Sequence, residues 1–115
     1  MSEVKIYHNN RCSKSRAGVK FLEEKGIDAT VIKYMDGISE SELTDVLQKL
    51  GMRPLELMRT KEELFRKEYK GKDLSDTEWI AVMVANPKLI ERPIIVKGDK
   101  AVVARPTEKI DEVLG

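Results

Sequence analysis

Apolar and polar positions alternate over Val4-Lys5-Ile6-Tyr7, which predicts a strand. From Ser13 to Lys25 the spacing of Gly18, Phe21 and Leu22 predicts a helix, with Gly26 in a position that favours left-handed backbone. Ala29 to Tyr34 is β-branched and predicts a second strand. A strand, helix and strand in that order form a βαβ unit, so the two strands should run parallel. Over Ser39 to Leu50 the pattern puts Ile38, Leu43, Val46, Leu47 and Leu50 on one helical face. Ser39 with Glu42 fits a capping box at its start, and Gly51 fits its stop. The same box recurs at Thr60 with Glu63 and at Ser75 with Glu78, predicting helices over about 61–68 and 76–85. Asn86-Pro87 ends the second of these. The period then returns to that of strands. Pro93 to Val96 and Ala101 to Ala104 flank the turn Lys97-Gly98-Asp99-Lys100, which reads as a hairpin. Thr107 to Leu114 reads as a closing helix.

The order β-α-β, helices, β-β-α predicts an α/β sandwich with a mixed sheet. No internal repeat, linker or low-complexity segment interrupts it. A chain of 115 residues suits one domain over 1–115, large enough for its own core.

Charge excludes more than it suggests. Lys and Arg number 21 against 20 Asp and Glu, a formal charge of +1, which gives no support to a nucleic-acid or membrane footprint. The longest apolar run, Trp79 to Ala85, is too short to span a membrane. Met1 leads directly into the first strand with no signal-peptide pattern. One cysteine permits no internal disulfide and no cysteine-based zinc site. A reducing, cytoplasmic setting is therefore expected. A monomer is the default expectation, since no long apolar patch is evident.

The single cysteine and the single histidine stand together in Tyr7-His8-Asn9-Asn10-Arg11-Cys12-Ser13-Lys14-Ser15-Arg16. Cys12 falls where the first strand hands over to the first helix. A thiol there meets unsatisfied N–H groups and the positive end of the helix dipole, which favour thiolate. Arg11, Lys14 and Arg16 add positive charge. His8 would add more if protonated and close. A lone cysteine is commonly a small buried hydrophobe. Its polar flanks argue for a reactive thiol here. Cys12-Ser13-Lys14-Ser15 is a C-x-x-C redox pattern with Ser15 in the last place. A reactive Cys12 must then be resolved by an outside thiol.

Three arginines stand apart from the general surface charge. Arg59 lies in Leu57-Met58-Arg59-Thr60-Lys61, while Arg92 and Arg105 each precede a proline and border an apolar strand.

These segments together resemble the glutaredoxin-coupled arsenate reductases of the thioredoxin-like superfamily. The resemblance rests on YHN-x-x-CSKSR, LMRTKE, LIERPIIV and ARPTE, in that order and nearly end to end. It implies a thioredoxin/glutaredoxin-like mixed sheet with a helical insertion at about residues 38–87. It implies that Cys12 is the nucleophile, that Arg59, Arg92 and Arg105 bind the oxyanion, and that Pro93 is the cis-proline. His8 and Ser15 fall on supporting positions. No bound cofactor or metal is implied. Arsenate would be the substrate, glutathione the co-substrate and glutaredoxin the partner that resolves the mixed disulfide. Asn10 departs from the family's usual proline, which predicts a less rigid loop before the cysteine.

Two other readings compete. A glutathione-dependent thiol or mixed-disulfide reductase on the same scaffold needs Cys12 but has no evident need for three arginines. A non-enzymatic regulator binding RNA polymerase would use a C-x-x-C switch, which Ser15 does not allow.

Overall fold

A computed structural model describes residues 3–114. The chain divides into two units, residues 1–36 with 92–115, and residues 37–91.

The first unit holds the sheet. Strands β1 (Val4–Tyr7), β2 (Thr30–Ile32), β3 (Ile94–Lys97) and β4 (Lys100–Val103) lie in the order β2-β1-β3-β4. β1 and β2 are parallel, with Tyr7 opposite Ile32, as the βαβ pattern predicts. β3 runs antiparallel to β1, with Tyr7 opposite Ile94, and β4 antiparallel to β3, with Ile94 opposite Val103. β2 is shorter than its β-branched run because Tyr34–Asp36 turns into a 3₁₀ helix. The β3–β4 turn is Gly98-Asp99, and Gly98 has φ 63°, the left-handed conformation a two-residue hairpin needs.

Helix α1 (Ser13–Glu24) crosses one face of this sheet. The chain closes with a 3₁₀ turn, Thr107–Ile110, running into a four-residue helix α5 (Asp111–Leu114). The expected closing helix is thus split into a tight half and an α half. Val4, Ile6, Leu22, Ile95, Ala104, Ile110 and Val113 form one buried cluster between sheet and helices. Gly18 makes the closest approach possible. A Cβ placed there would stand 3.0 Å from Pro93 Cγ and 3.3 Å from Ile6 Cδ1.

The second unit is helical: α2 (Glu40–Leu50), α3 (Glu63–Glu68) and α4 (Asp76–Ala85), with 3₁₀ turns at Pro54–Leu57 and Pro87–Leu89. It occupies the predicted insertion. Leu43, Val46 and Leu47 of α2 are buried, as its periodicity predicts. Ser39 Oγ accepts the Glu42 N–H at 3.1 Å, and Gly51 closes the helix at φ 67°. At α4 both halves of the capping box form, Glu78 N–H to Ser75 Oγ at 3.2 Å and Ser75 N–H to Glu78 Oε1 at 3.0 Å. The Thr60–Glu63 box does not form. α3 starts later, after Glu62, with no side-chain cap. The Thr60 N–H is instead taken by the Met58 carbonyl at 3.1 Å in a local turn, so the chain is not yet helical there. Phe65, Tyr69 and Trp79 gather their rings, with Phe65 stacked on Trp79 at 5.9 Å between centroids.

Candidate active site

Strand directions decide where the functional groups meet. β1 and β2 end at the same edge of the sheet, and β3, antiparallel, begins there. β4 returns to that edge, and the Ala104 N–H bonds the Pro93 carbonyl at 2.9 Å. One edge therefore collects the loop His8–Cys12, the turn after β2, the Arg92-Pro93 segment and the Ala104-Arg105 segment. This is the crevice outside the strand ends where α/β proteins bind ligands.

Cys12 is the N-cap of α1, in extended conformation, and only 8% exposed. It is more buried than its polar flanks suggest. Arg92 Nε donates to its Sγ at 3.1 Å. Burial pushes the thiol pKa up. The Ser15 backbone N–H, the Arg92 charge, the Lys14 backbone N–H and the Arg92 hydrogen bond outweigh it and hold the thiol below the usual cysteine value. The two backbone N–H groups act from short range without full hydrogen-bond geometry, since Cys12 makes no side-chain cap bond. The side-chain charges of Arg11, Lys14 and Arg16, credited from the sequence, are not among the leading influences; the charge that matters most comes from an arginine eighty positions away.

His8 does not face the sulfur as a cation. It is 7% exposed, its N–H bonds the Ile32 carbonyl at 2.8 Å, and its Nδ1 sits 2.6 Å from Ser15 Oγ. Burial holds its pKa below the ordinary histidine value, against the opposing influence of Asn10 and Ser15 and with help from the charges of Lys33 and Arg16. The ring is neutral at neutral pH. Ser15 Oγ also accepts the Asn9 N–H at 2.9 Å. Ser15, fully buried, thus joins the loop to the helix, a role that its place in a broken C-x-x-C pattern does not reveal.

The loop before Cys12 is tied at several points. Cys12 N–H bonds the Asn9 carbonyl at 3.0 Å, Arg11 N–H bonds Asn9 Oδ1 at 3.0 Å, and Arg16 Nη1 donates to the Asn10 carbonyl at 2.9 Å.

The Arg92–Pro93 peptide bond is cis, as the resemblance implies, and so is Arg105–Pro106. The repeated Arg-Pro pair was the available signal for the second. Pro93 is buried against α1, whereas Arg105 is exposed just beyond β4. Arg59 belongs to the helical unit. Its Nη1 donates to the Lys88 carbonyl at 3.2 Å, and Glu62 and Glu91 lie 3.6 and 3.5 Å from its guanidinium. The fold of the first unit thus brings together Cys12, Ser15, His8, Arg92 and Pro93, and sets Arg105 on the adjacent strand end. Among the described residues no group of three or more His, Cys, Asp or Glu side chains could hold a metal ion. No helix among them is long and apolar enough to cross a membrane.

A cysteine capping a helix N-terminus and a cis-proline before β3, on a four-stranded mixed sheet, define a protein of the thioredoxin-like fold class. The chain belongs to the ArsC family, whose pattern matches residues 7–113. An arsenate reductase of Neisseria meningitidis serogroup A is 43% identical over 117 residues, spanning 99% of this chain and 100% of its own length. Escherichia coli YfgD is 44% identical over 116 residues, covering 98% of each chain. Among solved structures, an arsenate reductase from Vibrio cholerae superposes with TM-score 0.92 at 43% identity, covering 97% of this chain and 98% of its own.

Proposed function

We propose that this protein reduces arsenate to arsenite, with Cys12 as nucleophile and glutathione and glutaredoxin as electron source. The observation that carries this reading is the Arg92 Nε bond to Cys12 Sγ at 3.1 Å. A guanidinium within hydrogen-bond reach of that sulfur supports the binding of an oxyanion there. Arsenate near neutral pH is largely a dianion, so an attacking thiolate meets like charge. Guanidinium groups offset that charge with paired hydrogen bonds and stabilise it as it grows in the transition state. Arg92, Arg105 and Arg59 are assigned this role.

The Cys12 thiolate bonds to As(V), and one arsenate oxygen leaves, protonated, as water. Glutathione sulfur displaces a second oxygen in the same way. The two sulfurs then join as a disulfide and give up two electrons, which reduce As(V) to As(III); one water adds back to the arsenic, and arsenite is released. Glutaredoxin cleaves the Cys12–glutathione disulfide by thiol exchange, returning the Cys12 thiolate. The chain's single cysteine suits this external resolution. Cytoplasm, where glutathione keeps thiols reduced, is the assigned compartment, and a monomer the assigned state.

The test is arsenite release with glutathione and glutaredoxin, comparing the native chain with Cys12→Ser. Release that depends on Cys12 supports the reading. Reduction of a mixed disulfide without any arsenite would move the assignment to a disulfide reductase.

A further inference from the structure

A recess of about 270 Å³ lies beside the active-site loop, lined by His8, Asn9, Asn10, Arg11, Lys33, Met35 and Asp36. It is built by the loop after β1 and the turn after β2, two parallel strands ending at the same edge. The Asp36 N–H bonds the Lys33 carbonyl at 3.0 Å, which turns Met35 and Asp36 toward the open edge. Arg92 reaches Cys12 from β3, on the other side of β1. The sulfur's neighbourhood therefore has two flanks: a guanidinium flank and this recess.

The lining is specific in charge. Arg11 and Lys33 are cations, Asp36 is an anion, and all three are exposed. No ion pair among the described residues engages any of them. Asn9 and Asn10 supply amide groups, and Met35, 42% exposed, supplies an uncovered apolar side chain. Two cations and one anion mirror a thiol tripeptide such as glutathione, which carries two carboxylates, one ammonium and two peptide bonds.

We infer that this recess is the docking subsite of the co-substrate thiol, and that it selects glutathione by pairing its carboxylates with Arg11 and Lys33 and its ammonium with Asp36. This rests on the proposed role of glutathione but adds where it binds and why. Substrate oxyanion and co-substrate thiol then approach Cys12 from opposite flanks of β1 and do not compete for one arginine.

S-methylglutathione, which cannot react, is the probe. Titrated into the native full-length chain, it should move the amide resonances of Asn9 to Arg11 and of Lys33 to Asp36. Arg11→Glu and Lys33→Glu should each weaken its binding about threefold, and the pair about tenfold, as partly screened charge contacts do. Asp36→Lys should weaken it similarly, whereas Lys20→Glu, on the exposed part of α1, should not. Shifts centred elsewhere, or an unchanged affinity in the double variant, would overturn the inference. The probe needs no arsenate, so the two readings fail separately. Binding in the recess without arsenite release would sink the proposed activity alone. Arsenite release with no binding in the recess would sink the subsite alone.

Discussion

Arg92 and Cys12 are eighty positions apart in the chain, yet the guanidinium Nε donates to the sulfur at 3.1 Å. The contact exists because β3 runs antiparallel to β1 and starts where β1 ends. Removing the guanidinium in Arg92→Met should raise the thiol pKa, read as a shift of thiolate ultraviolet absorbance to higher pH. Arsenate turnover should fall by roughly 100-fold, the usual cost of one oxyanion donor. Arg92→Lys should restore charge but little turnover, since lysine lacks the planar fork. A Met variant with an unchanged titration would remove Arg92 from the account.

Stability should rise with pH in two windows. Cys12 has a folded pKa below its unfolded one, so its contribution is complete above the unfolded thiol pKa and is lost as pH falls through the folded value. His8 also has a lowered folded pKa, but it is a base. Protonation favours its unfolded state, so stability falls as pH drops through its ordinary titration range toward the lowered one. Urea unfolding across pH should show both slopes. Cys12→Ser should flatten the alkaline window and leave the acidic one.

Ser15→Ala should separate stability from thiol acidity. It takes a partner from the buried His8 Nδ1 and from the half-buried Asn9 N–H, which should cost about 1–3 kcal/mol. The Ser15 backbone N–H that favours the thiolate stays in place. Chemical denaturation should record the loss, while iodoacetamide alkylation at neutral pH should stay fast. Slow alkylation would mean that the hydroxyl, not the backbone, supports the sulfur.

Gly18→Ala should destabilise the protein even though it sits inside a helix. Alanine ordinarily gains about 0.5–1 kcal/mol there. At this position its methyl would meet Pro93 Cγ at 3.0 Å, and relieving such overpacking typically costs about 1–3 kcal/mol. A lower denaturation midpoint is expected, with a larger drop for Gly18→Val. A midpoint raised by the alanine would show that the proline ring yields freely.

The single tryptophan and single cysteine report on different units. Trp79 stacks on Phe65 in the helical unit, and Cys12 caps α1 in the sheet unit. If 1–115 is one cooperative domain, Trp79 fluorescence and Cys12 alkylation should give coincident urea transitions. Two separated transitions would make the insertion a domain of its own.

Local rules carried the elements whose causes lie within a few residues. β1 follows from its alternation. α2 follows from an apolar stripe opened by Ser39, and α4 from its capping box at Ser75; each hydroxyl needs only an N–H three positions on. The Thr60 box failed because a sequence match cannot show whether the backbone has already turned helical at its first residue. The lowering of the Cys12 pKa was legible because its helix begins at the next residue. The charge of His8 stayed open in the sequence because burial, a property of the whole fold, sets it.

The sequence by itself determined the order of elements, the helix ends and the chemistry available: one thiol with no second thiol to close it, and arginines beside two prolines. Those follow from short-range sterics, capping and the inventory of side chains. Only the tertiary structure decided which arginine meets the thiol, how Ser15 links His8 to the loop, and how the ends of four strands come to one edge. Those contacts depend on strand direction and burial, which are fixed by packing between residues far apart in the chain.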